Sequence, residues 1–313
     1  MKLDFVRGHM GGNLIVLIPG EQMPVGLELE TAIKLLGPNY LYGHEMGILY
    51  STEKPHELAV KIAEPISKCF ISACGGLTQV LGAALIDTRF GEMLGIQKIE
   101  PFTEVILQTA GGPVKLEIEV ASKKAGRVKT GMKNFVEECY ERGVRPLQFN
   151  GLEILQAGKF LVINADRFKE FYPWADFMNW DQKTIAKVVE IQNQFMVATG
   201  ENEYNVVLYD WNSEHGADLR AVYPHAVAED YFEPSCGTGT VALGIAALLW
   251  GELPCLKGNS SGSANLKVEC GGGNELGGPE MTELDMTIEN GFMQTAALSH
   301  SNVEVTSVGE VWL

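Results

Sequence analysis

The polar and apolar positions of this 313-residue chain sort into short alternating runs, two amphipathic stretches and two segments that are apolar nearly all round. The apolar segments are residues 72–85, SACGGLTQVLGAAL, and 235–248, SCGTGTVALGIAAL. A helix that is apolar on every face is buried on every face. The run 240–250 falls far short of the ~20 apolar residues of a membrane span. Residues 27–37 and 181–198 place apolar side chains at helical spacing, and Gly37-Pro38-Asn39 ends the first of these helices. Residues 1–19 predict a strand pair with a Gly-rich kink at 8–13, and 57–71 predict one or two strands leading into Cys74. From 99 to 131 the alternation is that of short strands, with Lys115, Glu117 and Glu119 on one face. Residues 160–164, 205–209, 219–223, 281–288 and 303–313 read as further strands. The Gly/Ser/Asn-rich stretch 258–278 reads as a loop or hairpin tip, and the polar, turn-rich stretch 134–151 as a domain boundary.

The two apolar segments match each other. With each cysteine as origin, Gly75 and Gly237 coincide at the next position and Thr78 and Thr240 four on. Leu81 and Leu243 coincide seven on, Gly82 and Gly244 eight on, Ala84 and Ala246 ten on. Cys236 follows Cys74 by 162 residues, about half the chain. A single repeat at that distance is not a solenoid. It predicts two similar lobes about a pseudo-twofold axis, each aiming a thiol and a helix N-terminus at the cleft between them. Several short strands accompany each apolar helix, and a strongly curved, mostly antiparallel sheet around that helix would bury it. The expected class is α+β. Residues 1–145 form a lobe carrying Cys74, residues 146–290 a lobe carrying Cys236, and residues 291–313 closing strands that return to the first lobe.

Composition narrows the partners. A net charge of −16 disfavours nucleic acid and anionic membrane surfaces. Asp4 and Arg7 stand where a signal peptide needs apolar residues, so a cytoplasmic location is expected. There the six cysteines are expected to be reduced. None forms a CxxC pair and no His spacing suggests zinc, so no metal is expected.

A thiol at a helix N-terminus lies among free N–H groups and the positive end of the dipole, which favour thiolate. Two opposed thiols suit a reaction that takes a proton from one face of a carbon and returns one to the other. That is racemisation or epimerisation, with one cysteine as thiolate, the other as thiol, and roles exchanged on reversal. Each positioned acid or base contributes ~10²–10⁴-fold, roughly 3–5 kcal/mol. The remaining stabilisation is assigned to backbone N–H groups of Gly75, Gly76, Gly237, Thr238 and Gly239 holding a substrate carboxylate. Hydroxyls of Thr78, Thr238 and Thr240 are further candidate donors. Arg220 reads as a partner for a substrate carboxylate or for a neighbouring acid. His215, His225, Lys159 and the pair His44-Glu45 read as solvated or loop residues. Cys69, Cys139, Cys255 and Cys270 lack the glycine context and read as structural.

On these motifs the chain resembles the diaminopimelate epimerase/proline racemase superfamily of cofactor-independent isomerases. SCGTGT at 235–240 is similar to the second catalytic-cysteine motif, and SACGG at 72–76 stands where the first is expected. FVRGHMGGNLIV at 5–16 looks like the epimerase N-terminal motif ending in Gly-Asn, which makes Asn13 a candidate substrate contact. Asn205-Val206 sits where the epimerases place a substrate-binding Asn, and GEVWL at 309–313 is similar to their final strand. The resemblance implies two barrel-like lobes, Cys74 and Cys236 as the two bases, an amino-acid substrate, no cofactor and often a homodimer. The chain departs from the epimerases where they carry Glu-Arg-Gly. It reads VAEDYFEPSCG, which offers Glu229, Asp230 or Glu233 instead, and Lys159-Phe160 replaces their Asn-Pro-His. A smaller or differently charged amino acid than diaminopimelate is therefore expected. The alternatives are an isomerase of an unsaturated tricarboxylic acid, similar to methylaconitate isomerase, and a non-catalytic small-molecule-binding relative.

Overall fold

In a computed structural model the alternating segments assemble into two units, residues 1–134 with 297–313, and residues 135–296. The structure describes residues 1–175, 182–200, 204–213, 215–224, 232–233, 235–253, 260–270 and 280–313. In the first unit β1 (Lys2–Met10) and β2 (Asn13–Pro19) form a hairpin across Gly11-Gly12. Both turn residues have positive φ, 52° and 90°, as a two-residue hairpin turn needs and glycine adopts without strain. Helix α1 (Glu28–Leu36) leads to β3 (Glu45–Ser51), which runs parallel to β2. Strands β4 (Glu57–Glu64) and β5 (Cys69–Ile71) precede α2 (Gly75–Asp87) and the short α3 (Phe90–Met93). Strands β6 (Phe102–Thr109), β7 (Gly112–Ala121) and β8 (Lys124–Gly131) follow.

Strand β2 has apolar residues on both faces because both faces are covered. Ile15 and Leu17 enter the core around α2, whereas Val16 and Ile18 join Ala32, Leu35 and Leu36 of α1 in a second core. Helix α2 touches β1, β2 and β3, and also β7 and β8 from the other end of the row, so the sheet curls around it. Every residue of α2 from Gly75 to Ile86 is buried.

The units divide between 134 and 135, at the start of the stretch 134–151 expected as the boundary rather than at 145/146, and that stretch forms most of α4 (Lys133–Arg142) and β9 (Val144–Phe149) instead of a linker. Its polar composition conceals an amphipathic helix. Phe135, Val136 and Cys139 are buried while Glu137 and Glu141 face water. The second unit continues with β10 (Leu152–Ala157), β11 (Phe160–Asn164), α5 (Ala165–Phe171) and α6 (Gln182–Thr199). Next come β12 (Asn205–Asp210), β13 (Leu219–Pro224), β14 (Phe232–Glu233) and α7 (Gly237–Leu249). It closes with β15 (Gly262–Cys270), β16 (Glu280–Glu289) and β17 (Phe292–His300). Strand β15 corrects the loop expected over 258–278 at residues 262–270, while 258, 259 and 271–278 lie outside the described residues. Ala264, Leu266 and Val268 are buried in alternation with Ser263, Asn265 and Lys267, whose polar side chains hid the pattern. The last part of β17 belongs to the first unit and pairs with β8, and β18 (Val303–Trp312) pairs with all of β1.

The second unit repeats the pairings of the first. The β10/β11, β12/β13 and β15/β16 pairs are antiparallel, while β11/β12 and β13/β15 are parallel. In the first unit β1/β2, β3/β4 and β6/β7 are antiparallel, while β2/β3 and β4/β6 are parallel. The helix repeat seen in the sequence is thus one part of a repeated α+β unit. No helix among the described residues is long and apolar enough to cross a membrane.

Candidate functional site

Cys74 and Cys236 are the N-cap residues of α2 and α7. Their backbones are extended, with φ/ψ of −147°/116° and −126°/111°. Each sulfur accepts the N–H three residues on, from Leu77 at 3.3 Å and from Gly239 at 3.4 Å. This is the bond that a Ser or Asp cap makes, and an N–H aimed at sulfur stabilises a thiolate more than a thiol. Exposure is 8% for Cys74 and 7% for Cys236, so each retains an edge, whereas Cys270 is at 0% and Cys139 at 1%. Burial pushes the Cys139 thiol up to about 12, and it raises Cys270 as well. Those two are held as thiols. Cys69 is exposed, 3.1 Å from the Ser67 hydroxyl, and Cys255 lies outside the described residues.

In the first unit Asn13, Gly76 and Cys74 come together. An alanine at 76 would place its Cβ 3.1 Å from Asn13 Nδ2, so the glycine lets this amide rest on the first turn of α2. Asn13 is itself fully buried, and its Oδ1 lies 3.1 Å from His44 Nδ1. That nitrogen accepts the Leu14 N–H at 3.1 Å, so it carries no proton and the Asn13 oxygen packs against it without a hydrogen bond between the two. Burial, reinforced by the Arg7 charge, pulls His44 down to about 4, so the ring is neutral at pH 7. His44 lies in the bend before β3, the loop position expected of it, and its ring packs against Asn13. Its sequence signal was only a glycine before an apolar run.

In the second unit Gly237, Thr238 and Gly239 form the first turn of α7. Thr238 Oγ1 lies 3.4 Å from Cys236 Sγ. At 239 a Cβ would fall 2.7 Å from the Tyr223 ring and 3.3 Å from Cys236 Sγ, so Tyr223 packs beside the thiol where only glycine leaves room. The two repeated threonines turn their hydroxyls back to the helix backbone. Thr78 donates to Gly75 O and Thr240 to Cys236 O, both at 2.7 Å. Thr240 also meets the Tyr223 hydroxyl at 2.8 Å. Asn205 begins β12, and its N–H donates to Lys159 O at 2.8 Å. The His44 N–H donates to Leu14 O at 2.7 Å.

Arg220 pairs with buried Asp210 through Nε and Nη2 at 2.8–2.9 Å, and His215 lies 3.2 Å from Glu269. His225, Glu229 and Asp230 lie outside the described residues, as does the Glu233 side chain. No group of three His, Cys, Asp or Glu among the described residues is placed to hold a metal ion.

No protein-family model matches the chain, and comparison with curated proteins finds no match. Solved structures share its fold across nearly the whole length. A hydroxyproline epimerase from Agrobacterium vitis, with trans-4-hydroxy-L-proline bound, superposes with a TM-score of 0.65 at 12% identity, covering 99% of this chain and 92% of its own. A methylitaconate Δ-isomerase gives 0.65 at 16% identity, with 99% and 95% covered. A PhzF-family phenazine biosynthesis protein from Bacillus anthracis gives 0.62 at 11% identity, with both chains covered completely. The chain therefore shares the α+β fold of these proteins.

Proposed function

We propose that this chain is a cofactor-independent racemase or epimerase that inverts the α-carbon of an amino acid, with Cys74 and Cys236 as its two acid/base groups. The observation that carries this reading is the matched pair of caps. The helices buried along nearly their whole length each begin at a cysteine whose sulfur accepts a backbone N–H. One thiolate takes the α-proton. The other thiol gives its proton to the opposite face, leaving the two sulfurs with exchanged protonation. Negative charge that develops on the substrate carboxylate is held by N–H groups of the first helical turns, those of Gly75, Gly76, Gly237 and Thr238, while the Gly239 N–H stays on Cys236 Sγ. Asn13 and Asn205 are the substrate contacts of the first and second unit.

A panel of amino acids including proline, hydroxyproline and diaminopimelate, incubated in D₂O, tests the reading. The expected result is deuterium at the α-carbon of one substrate, lost by at least 10²-fold in Cys74→Ser and in Cys236→Ser. Thiol alkylation should abolish exchange. No exchange with any amino acid overturns the reading. The fold likeness to a methylitaconate Δ-isomerase, named for an unsaturated dicarboxylic acid, supports a second reading, migration of a double bond in an unsaturated di- or tricarboxylic acid. It predicts exchange into such an acid and none into the amino acids.

A further inference from the structure

At the far end of α7 from Cys236, the second unit opens a cavity of about 80 Å³ lined by Glu153, Asn164, Arg167, Tyr209, Trp250 and Glu252. The repeat makes this opening informative. In the first unit the residues after α2 form α3 and bury Phe90 in the core. In the second unit Trp250, Gly251 and Glu252 follow the helix, and their N–H groups bond Ala246 O, Leu248 O and Ala247 O.

Neutral donors fix both carboxylates. Tyr209 donates its hydroxyl to Glu252 Oε2 at 2.8 Å, and Trp211 Nε1 donates to the same oxygen at 3.1 Å. Trp250 Nε1 donates to Glu153 Oε1 at 2.9 Å. Tyr209 is stacked on Trp250, with centroids 6.1 Å apart and planes at 25°. These donors hold the anions in place without cancelling their charge. The one cation of the lining, Arg167, lies 3.8 Å from Glu153 Oε2 and is 60% exposed. Two carboxylates against one guanidinium leave a negative charge. Tyr209 is fully buried in its stack, so the half-buried Trp250 indole is the aromatic surface beside that charge, and it favours an organic cation over a hydrated inorganic one. The volume exceeds the ~10–15 Å³ that one water needs and is well below the ~300 Å³ of a drug-sized ligand.

We infer that this cavity is a binding site for a small organic ammonium, held between the Glu153 and Glu252 carboxylates and beside the Trp250 ring. The site is separate from the proposed racemase chemistry, and its occupancy is read without turnover. Tryptophan emission is titrated with methylammonium and trimethylammonium chloride, against potassium chloride at equal ionic strength. The expected result is a saturable change with an alkylammonium only. Glu252→Gln, which can still accept from Tyr209 and Trp211, weakens binding at least tenfold, and Arg167→Gln tightens it several-fold. Absence of saturation, an equal response to potassium, or unaltered binding in Glu252→Gln overturns the proposal. If Glu252→Gln does not fold, Arg167→Gln decides alone, and unchanged or weaker binding there overturns it.

Discussion

At the residue scale, the candidate site is built from two capping cysteines and from glycines whose reasons are steric, beside buried histidines whose reasons are electrostatic. The cysteine-glycine motifs were legible in the sequence because duplication marked them. Gly239 illustrates why their neighbours were not. Its need for a hydrogen side chain comes from Tyr223, a residue sixteen positions away on β13. Two histidines give a testable pH dependence. Burial pulls both His44 and His300 down to about 4, with Arg7 acting further on the first and His9 on the second. The unfolded chain then takes up protons near pH 6.5 that the folded one refuses. The stability these rings contribute is complete above pH 6.5 and is lost as pH falls towards 4. The loss is on the order of 3 kcal/mol for each ring. Urea midpoints measured from pH 7 to 4 should fall over that window, and His300→Gln should flatten the slope by about half.

At the scale of elements, α2 and α7 show how the same sequence position can bear different loads. Gly82 and Gly244 occupy the same place in the repeat, and each lets its helix approach the sheet closely. A Cβ at 82 would lie 2.6 and 2.9 Å from the two methyls of Val128, a β-branched side chain with little freedom. A Cβ at 244 would meet Leu284 at 2.6 Å, then Met286 and Met293, which can re-pack. Alanine gains ~1 kcal/mol over glycine within a helix, while overpacking costs typically ~1–3 kcal/mol. Gly82→Ala should therefore destabilise by about 1–2 kcal/mol and Gly244→Ala by less than about 0.5 kcal/mol in urea unfolding. Helix and strand positions were legible wherever the apolar period was strong, as in α1, α6 and β2. Helix α4 and strand β15 were obscured because composition there imitates a linker while burial follows the correct period.

At the scale of the whole molecule, the repeat read from ten matched helix residues extends to strand order, direction and parallel crossovers, which no local pattern encodes. Direction depends on which strands meet, and that is set by helices lying across both faces rather than by residues within a strand. One long-range dependence remains. Strand β1 is paired on one side by β2 over its second half only, from Val6 to Met10, but by β18 from Lys2 to Met10. Leu3, fully buried against the α1 core, therefore relies on residues some 300 positions later in sequence. Removing residues 303–313 should strip β1 of its only partner at Lys2–Phe5 among the described pairings. Hydrogen exchange on the truncated chain should show amides of β1 and α2 losing protection by orders of magnitude, because Val303 and Val305 pack against the core around α2. Amides of β11 and β12, held in the core with Ile191 and Phe195 of α6, should keep theirs. Equal loss in both sets would mean that the two cores fold only as one.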